Sequence, residues 1–180
     1  MKKRVFENAA FKDRVLLIES SNDTGGAYTL IEVELQPGNG NLPHFHTKLA
    51  QKFTAIKGQL VIEMEKRRIC LQAGGSIMVP VDRLHRFYNP GASPIIFQIK
   101  LTPGHERFEH GLAIAYGLAE DGKVNKNGIP KNLDHMAVLM SLTDTGVPGF
   151  YSFLQPVLKW RAGIAMKRGL HLELIKRYCR

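Results

Sequence analysis

From about residue 14 to residue 101, apolar positions fall in short runs rich in β-branched and aromatic residues, each closed by a cluster of Gly, Pro, Asn or Asp. Runs of this length between such breakers read as strands rather than helices. The pattern predicts strands over 14–19, 27–35, 43–47, 51–57, 59–65, 67–71, 76–79, 84–89 and 94–101, with turns near Asn22-Asp23, Pro37-Gly38, Gly74-Gly75 and Pro90-Gly91. Two runs alternate cleanly: Leu60, Ile62 and Met64 oppose Val61, Glu63 and Glu65, while Ile95, Phe97 and Ile99 oppose Gln98 and Lys100. One face of each strand should then meet a core and the other water or a partner. So many short strands in succession point to a barrel or a sandwich.

After Pro103 the texture changes. Longer apolar-polar stretches at 108–119, 132–142 and 150–178 carry helical spacing, and the polar stretches 120–132 and 143–149 read as loops. Gly163 and Gly169 interrupt the last stretch and weigh against one continuous helix. The chain therefore divides into a barrel with its N-terminal strands, residues 1–105, and a helical C-terminal extension, residues 106–180, packed on the barrel or on a dimer partner. That packing is expected because Leu154, Val157, Leu158, Trp160, Ile164, Leu170, Leu174 and Tyr178 are too many apolar side chains to leave in water.

Composition narrows the function classes. A chain of 180 residues with 44% hydrophobic content suits one core with an appended segment. No stretch reaches the roughly 18 apolar residues of a membrane span, and Glu7, Asn8, Lys12 and Asp13 stand where a secretory signal needs an apolar segment. Cys70 and Cys179 are the only cysteines and have no ligand-like spacing, so a cytoplasmic protein without a disulfide framework is expected. The net charge of +9 gathers at Lys159, Arg161, Lys167, Arg168, Lys176, Arg177 and Arg180 against Glu173 alone. No aromatic-basic interleaving, helix-turn-helix pattern or zinc-finger spacing accompanies these charges, so they read as a solvated helix face, with neither nucleic acid nor membrane as partner.

Candidate chemistry lies in the histidines. His44 and His46 flank Phe45 in an extended segment, so both imidazoles project from one face and can converge on one ion. A lone His-x-His in a strand is more often structural than metal-binding, and other residues must decide. Gln51 opens the next run and, if strand phase holds, looks inward with Phe53 and Ala55. His85 begins a later strand after a turn that aims it back into the barrel. His105, His110, His135 and His171 have no ligand-like spacing and read as surface or capping residues.

The order Gly38, His44, His46, Gln51, Gly58 and then Gly74, Pro80, Asp82, His85, Asn89, with fifteen residues between the two groups, resembles the paired motifs of the cupin family. The resemblance covers roughly residues 26–101. It implies a mainly β fold, a double-stranded β-helix or jelly-roll barrel with C-terminal α-helices, and a metal inside the barrel on His44, His46 and His85. It also implies a homodimer, since cupins commonly pair through their sheets. Two positions depart from the family pattern. Asp82 replaces a turn glycine, which Asp tolerates because it visits the left-handed region more readily than most residues. Gln51 replaces the glutamate that supplies the anionic ligand in metal-bearing relatives. A Gln carbonyl can still coordinate, but the site loses about one negative charge beside a dication.

Three neutral imidazoles suit zinc, nickel, iron or copper. The resemblance implies a metal-binding cupin acting on a small organic molecule, as a dioxygenase or related oxidoreductase; the alternative is a non-catalytic cupin that binds or senses a small ligand. Phe53, Leu60, Ile62, Met64, Phe87, Phe97 and Ile99 are the candidate walls of the ligand chamber. No catalytic base is evident among the ligands, and Tyr88, Arg83 and His105 are the nearest polar candidates in sequence.

Overall fold

The computed structural model describes residues 4–8 and 13–179. Short strands fill the first half of the chain: β1 (Val5–Asn8), β2 (Asp13–Glu19), β3 (Thr29–Leu35), β4 (Phe45–His46), β5 (Ala50–Lys57), β6 (Leu60–Met64), β7 (Arg67–Leu71), β8 (Ser76–Val79), β9 (His85–Tyr88) and β10 (Ile95–Thr102). They pair antiparallel into one sheet ordered β1-β2-β3-β10-β5-β8 and a second ordered β7-β6-β9. The chain ahead of β4 runs along the free side of β9, with Gly40 bridging Tyr88 and His44 bridging His85. The result is a jelly-roll barrel with helices at its C-terminal end.

The core follows from register. Ile31, Val33 and Leu35 of β3 stand opposite Ile99, Phe97 and Ile95 of β10, which stand in turn beside Phe53 and Ala55 of β5, and all are buried. Each such side chain contributes about 1.5–3 kcal/mol of burial free energy, so a one-residue slip that turned this face outward would be ruinous. The same register turns Gln51 inward, opposite Leu101 and Val79. A polar side chain thereby enters an otherwise apolar wall.

The helices are α1 (Glu106–Glu120), α2 (Leu133–Leu142), α3 (Gln155–Lys167) and α4 (Leu170–Tyr178), with a 3-10 turn at Gly149–Leu154 ahead of α3. One side of α1 packs on the barrel, where Ala113 and Tyr116 join Phe6, Val15 and Leu17. Its other side, through Ile114 and Leu118, meets Val138, Leu142, Ala165 and Leu174. Two polar anchors fix its start: the His105 side chain caps the helix by accepting from Phe108 N, and the buried Glu109 carboxylate accepts from Ser21 N and Thr29 Oγ1 at 2.6 Å each. No helix among the described residues is long and apolar enough to cross a membrane.

Four features differ from the sequence reading. Val5–Asn8 is a strand, added to the sheet edge by pairing with β2, and is too short to show a period of its own. The expected loop at 143–149 contains a further strand, β11 (Thr145–Gly146), which pairs with β4. The stretch 150–178 is broken at Gly169, whose φ of +84° suits a residue without a Cβ, whereas Gly163 stays inside α3. Val61, on the face expected to meet water or a partner, is fully buried within the chain itself, between Cys70 and Tyr88 of the flanking strands.

Candidate metal centre

Three strand segments deliver the four side chains of the site. His44 and His46 lie at the β4 segment, His85 opens β9 beside it, and Gln51 comes from β5 in the opposite sheet. The turn leading to His85 is set by Asp82, which adopts φ +60° and donates its backbone N–H to the carbonyl of His46 at 2.7 Å. With the reciprocal backbone bonds between His44 and His85, at 3.0 and 2.9 Å, that hydrogen bond ties the two histidine-bearing segments together. His46 and His85 are 3% and 2% exposed and Gln51 4%, while His44 is only partly buried and marks the open side.

The three imidazoles converge. Each offers a ring nitrogen within 4.8 Å of the other two, and the ring centroids lie 4.4–5.8 Å apart. What faces away from the cluster is as informative. His44 Nδ1 lies 2.9 Å from the Leu42 carbonyl, His85 Nδ1 2.8 Å from the Arg83 carbonyl, and His46 Nδ1 3.1 Å from the carbonyls of both Thr143 and Asp144. A carbonyl can only accept, so each Nδ1 carries the proton and donates it. Each Nε2 is left with a lone pair, the tautomer a metal requires.

Burial reinforces that state. It pushes His44 down to about 3, with repulsion from His85 and His46 adding, and pushes His46 down to about 4 against the opposing pull of the Asp144 carbonyl. His85 is lowered as well, first by burial, and the Arg83 carbonyl only partly opposes this. All three rings are therefore neutral near neutral pH and ready to coordinate without first losing a proton.

Gln51 stands beside the set, with its Oε1 2.7 Å from His85 Nε2. Amide oxygen and nitrogen exchange places on a half-rotation, and with the His85 proton on Nδ1 the contact is favourable when the NH2 is turned to the Nε2 lone pair. The orientation with the oxygen toward His85 is the one that would face an ion held by the same nitrogen. The three imidazoles fit a divalent transition metal of the imidazole-preferring kind.

The apolar residues read as chamber walls lie in or against the barrel core beneath the histidines. Phe53, Leu60, Ile62, Phe97 and Ile99 are buried, with Met64 and Phe87 packed against them. The Phe53 ring centroid is 6.0 Å from those of His85 and Phe87, and Phe87 lies 5.0 Å from Phe97. Aromatic rings thus fill the space below the site, and the open side is at His44. Of the polar candidates, Arg83 pairs outward with Glu65 at 2.7 Å, and Tyr88 lies under the guanidinium groups of Arg68 and Arg86. His105 caps α1, while His135 and His171 are half-buried, with Nδ1 atoms shielded from water and without a partner among the described residues.

The residues missed by sequence reasoning are those behind the ligands. The carbonyls of Leu42 and Arg83 lie two residues before the histidines they orient, a local signal available in principle. Thr143 and Asp144 lie 97 and 98 positions from His46 and carried no such signal.

The family described as "Cupin domain" matches residues 31–101. An RmlC-like cupin from Shewanella frigidimarina is similar in structure at a TM-score of 0.50 and 16% identity, over 59% of this chain and 89% of that one. A cupin-superfamily sugar phosphate isomerase from Silicibacter pomeroyi gives 0.46 and 23% identity, covering 52% of this chain and 62% of that one, so the match spans less than two thirds of that protein. A polyketide cyclase from Streptomyces resistomycificus gives 0.47 and 18% identity, over 57% of this chain and 80% of that one. No curated protein sequence matches the chain.

Proposed function

We propose, from the premise that this chain is a cupin-superfamily protein with its cupin domain at residues 31–101, that it holds one divalent transition metal on His44, His46 and His85, with Gln51 as a fourth ligand, and acts there on a small organic molecule as a dioxygenase or related oxidoreductase. The observation that carries the reading is the matched set of three Nδ1 donors on backbone carbonyls, which leaves three Nε2 lone pairs for one ion. A bound ion would supply Lewis-acid polarisation of a coordinated substrate oxygen, and neutral ligands would leave its charge undiminished. The chain's own part is to fix the tautomers, exclude water from two of the three rings and leave the side at His44 open.

The test is metal content first and turnover second. Protein purified without added metal or an affinity tag should carry close to one zinc, nickel, iron or copper per chain, and metal-loaded protein should consume oxygen with a phenolic or diketone substrate. Less than a tenth of a metal per chain, even after reconstitution, would end the reading. The packed aromatic interior favours a second reading, a cupin that binds or senses a small ligand without turning it over. Silence in oxygen uptake across metals, with ligand-induced thermal shifts intact, would select it.

The reading extends to a homodimer. Leu154, Val157 and Trp160 recur every three residues from the end of the 3-10 turn into α3 and are exposed, Trp160 at 66%. Sedimentation at micromolar concentration should give a species of twice the 20.2 kDa chain mass, and a single 20.2 kDa species would remove this part.

A further inference from the structure

A cavity of about 410 Å³ lies outside the barrel, between the β4–β11 ribbon and helices α2 and α3. Phe45, Met140, Leu158 and Met166 give its lining an apolar part, and Lys48 and Lys159 are also among the lining residues. Both lysines are exposed, and neither has an ion-pair partner among the described residues. The one acidic group in the wall, Asp144, is already engaged, accepting from Thr47 N, Thr47 Oγ1 and Lys48 N at 2.6–2.8 Å. None of the three histidines lines this space, because Phe45 turns to the opposite side of β4 from its neighbours.

We infer that this cavity is a binding site for an amphipathic carboxylate, whose apolar chain lies against Phe45, Met140, Leu158 and Met166 and whose anionic end sits between Lys48 and Lys159. Three observations carry the assignment. The volume falls in the range of small-molecule sites, roughly 300–1,000 Å³. Two unpaired cations against one fully engaged carboxylate leave the rim positive, which selects an anion over a cation of the same shape. Two methionines in the wall, flexible and polarizable, accommodate a chain without demanding a rigid outline. The site stands apart from the histidine cluster and does not rest on the metal reading.

The test is isothermal titration of the metal-free full-length protein with sodium decanoate below its micelle concentration, repeated with decylamine. Trp160, the single tryptophan and the neighbour of Lys159, gives a second readout by fluorescence. Decanoate should bind saturably near one per chain and at least tenfold more tightly than decylamine, and Lys159→Glu should weaken it at least tenfold. Gly163→Leu should abolish it: Gly163 lines the cavity from α3, and a Cβ there meets nothing within 4 Å, so a side chain can start into the space from this position. Removing a helix-interior glycine should also hold or raise the melting temperature, which separates blocked binding from failed folding. Equal affinity for the two probes, or full decanoate binding by a folded Gly163→Leu protein, would overturn the assignment.

Discussion

At the mouth of the barrel each imidazole is fixed from behind by a backbone carbonyl and enclosed by neighbouring strands, whereas across β4 the cavity in the helical layer is lined in part by exposed lysines and by methionines. The two regions share a wall one strand thick, with His46 on one side and Phe45 on the other. The contrast matches what each is proposed to recognise. A metal ion rewards lone pairs held to within tenths of an ångström, so its site needs rigid backing. A flexible chain with one charged end needs volume, a charge of the right sign and adaptable walls. Rigid and adaptable surfaces are best carried by different elements, strands for the first and helices joined by loops for the second.

The largest effect expected from breaking the rigid side is loss of a ligand. His46→Ala or His85→Ala should weaken metal binding on the order of 1,000-fold, one ligand's share of the roughly 10–16 kcal/mol typical of structural zinc. Far-UV circular dichroism should stay unchanged, because the barrel core of Ile31, Val33, Phe53 and Phe97 is intact in both variants. Full metal stoichiometry in either variant would show that the ion lies elsewhere.

Asp144 stands where the two regions meet. Its carbonyl orients His46, its φ is +52°, and its carboxylate clamps residues 47 and 48. Asp144→Ala keeps that carbonyl but removes the carboxylate clamp and leaves an alanine at positive φ, so the carbonyl's aim at His46 should loosen and metal binding weaken about 10-fold, the low end for a disturbed orienting group. Asp144→Asn, which keeps one acceptor oxygen, should lose less. Metal titration of the pair measures this directly, and parent-like affinity in Asp144→Ala would separate the β11 ribbon from the metal centre.

The barrel and its histidines were legible in the sequence because most of their signals are local. Strand alternation shows within 60–64 and 95–99, and His44, His46 and Gln51 fall within eight residues, with His85 34 positions beyond Gln51. The phase that turned Gln51 inward beside Phe53 and Ala55 could be read from the strand alone. The helical layer was legible only as helices. Its cavity draws on residues from Phe45 to Met166, and β11 is two residues long, so its pairing with β4 leaves no periodic trace. Backbone carbonyls have no identity in a sequence, which is why the groups that fix the tautomers came only with the fold.

The junction of barrel and helices also carries a titration. Tyr116 on α1 donates to Asp13 on β2, and burial, opposed in part by that bond, raises the Asp13 carboxyl to about 6 from 3.8. A carboxyl whose folded value lies above its unfolded one favours folding when protonated. This contribution is fully present below pH 4 and is lost as pH rises through about 6. Asp13→Asn keeps an acceptor for Tyr116 and removes the ionisation, so it should raise stability at pH 7.5 by on the order of 2 kcal/mol and little at pH 4. Urea denaturation at the two pH values measures the difference. An equal change at both would mean that the effect is one of packing, and that charge at this junction is not felt.

The smallest effect, and the sharpest test of the rigid side, is Gln51→Glu. In the parent, the neutral amide meets a neutral His85 ring and leaves its proton on Nδ1. A carboxylate at the same place adds an anion near the ion but also draws a second proton onto His85 Nε2, since a carboxylate can only accept. Two opposed consequences follow in different pH windows. Above pH 8, where the added proton is gone, metal binding should tighten about tenfold, near 1.4 kcal/mol. Below pH 6 the carboxylate-imidazolium pair competes with the metal, and affinity should fall more steeply with acid than in the parent. Metal titrations from pH 6 to pH 8.5 should therefore cross. Parallel curves would mean that residue 51 touches His85 without reaching the ion, leaving three imidazoles as the whole of the protein's ligand set.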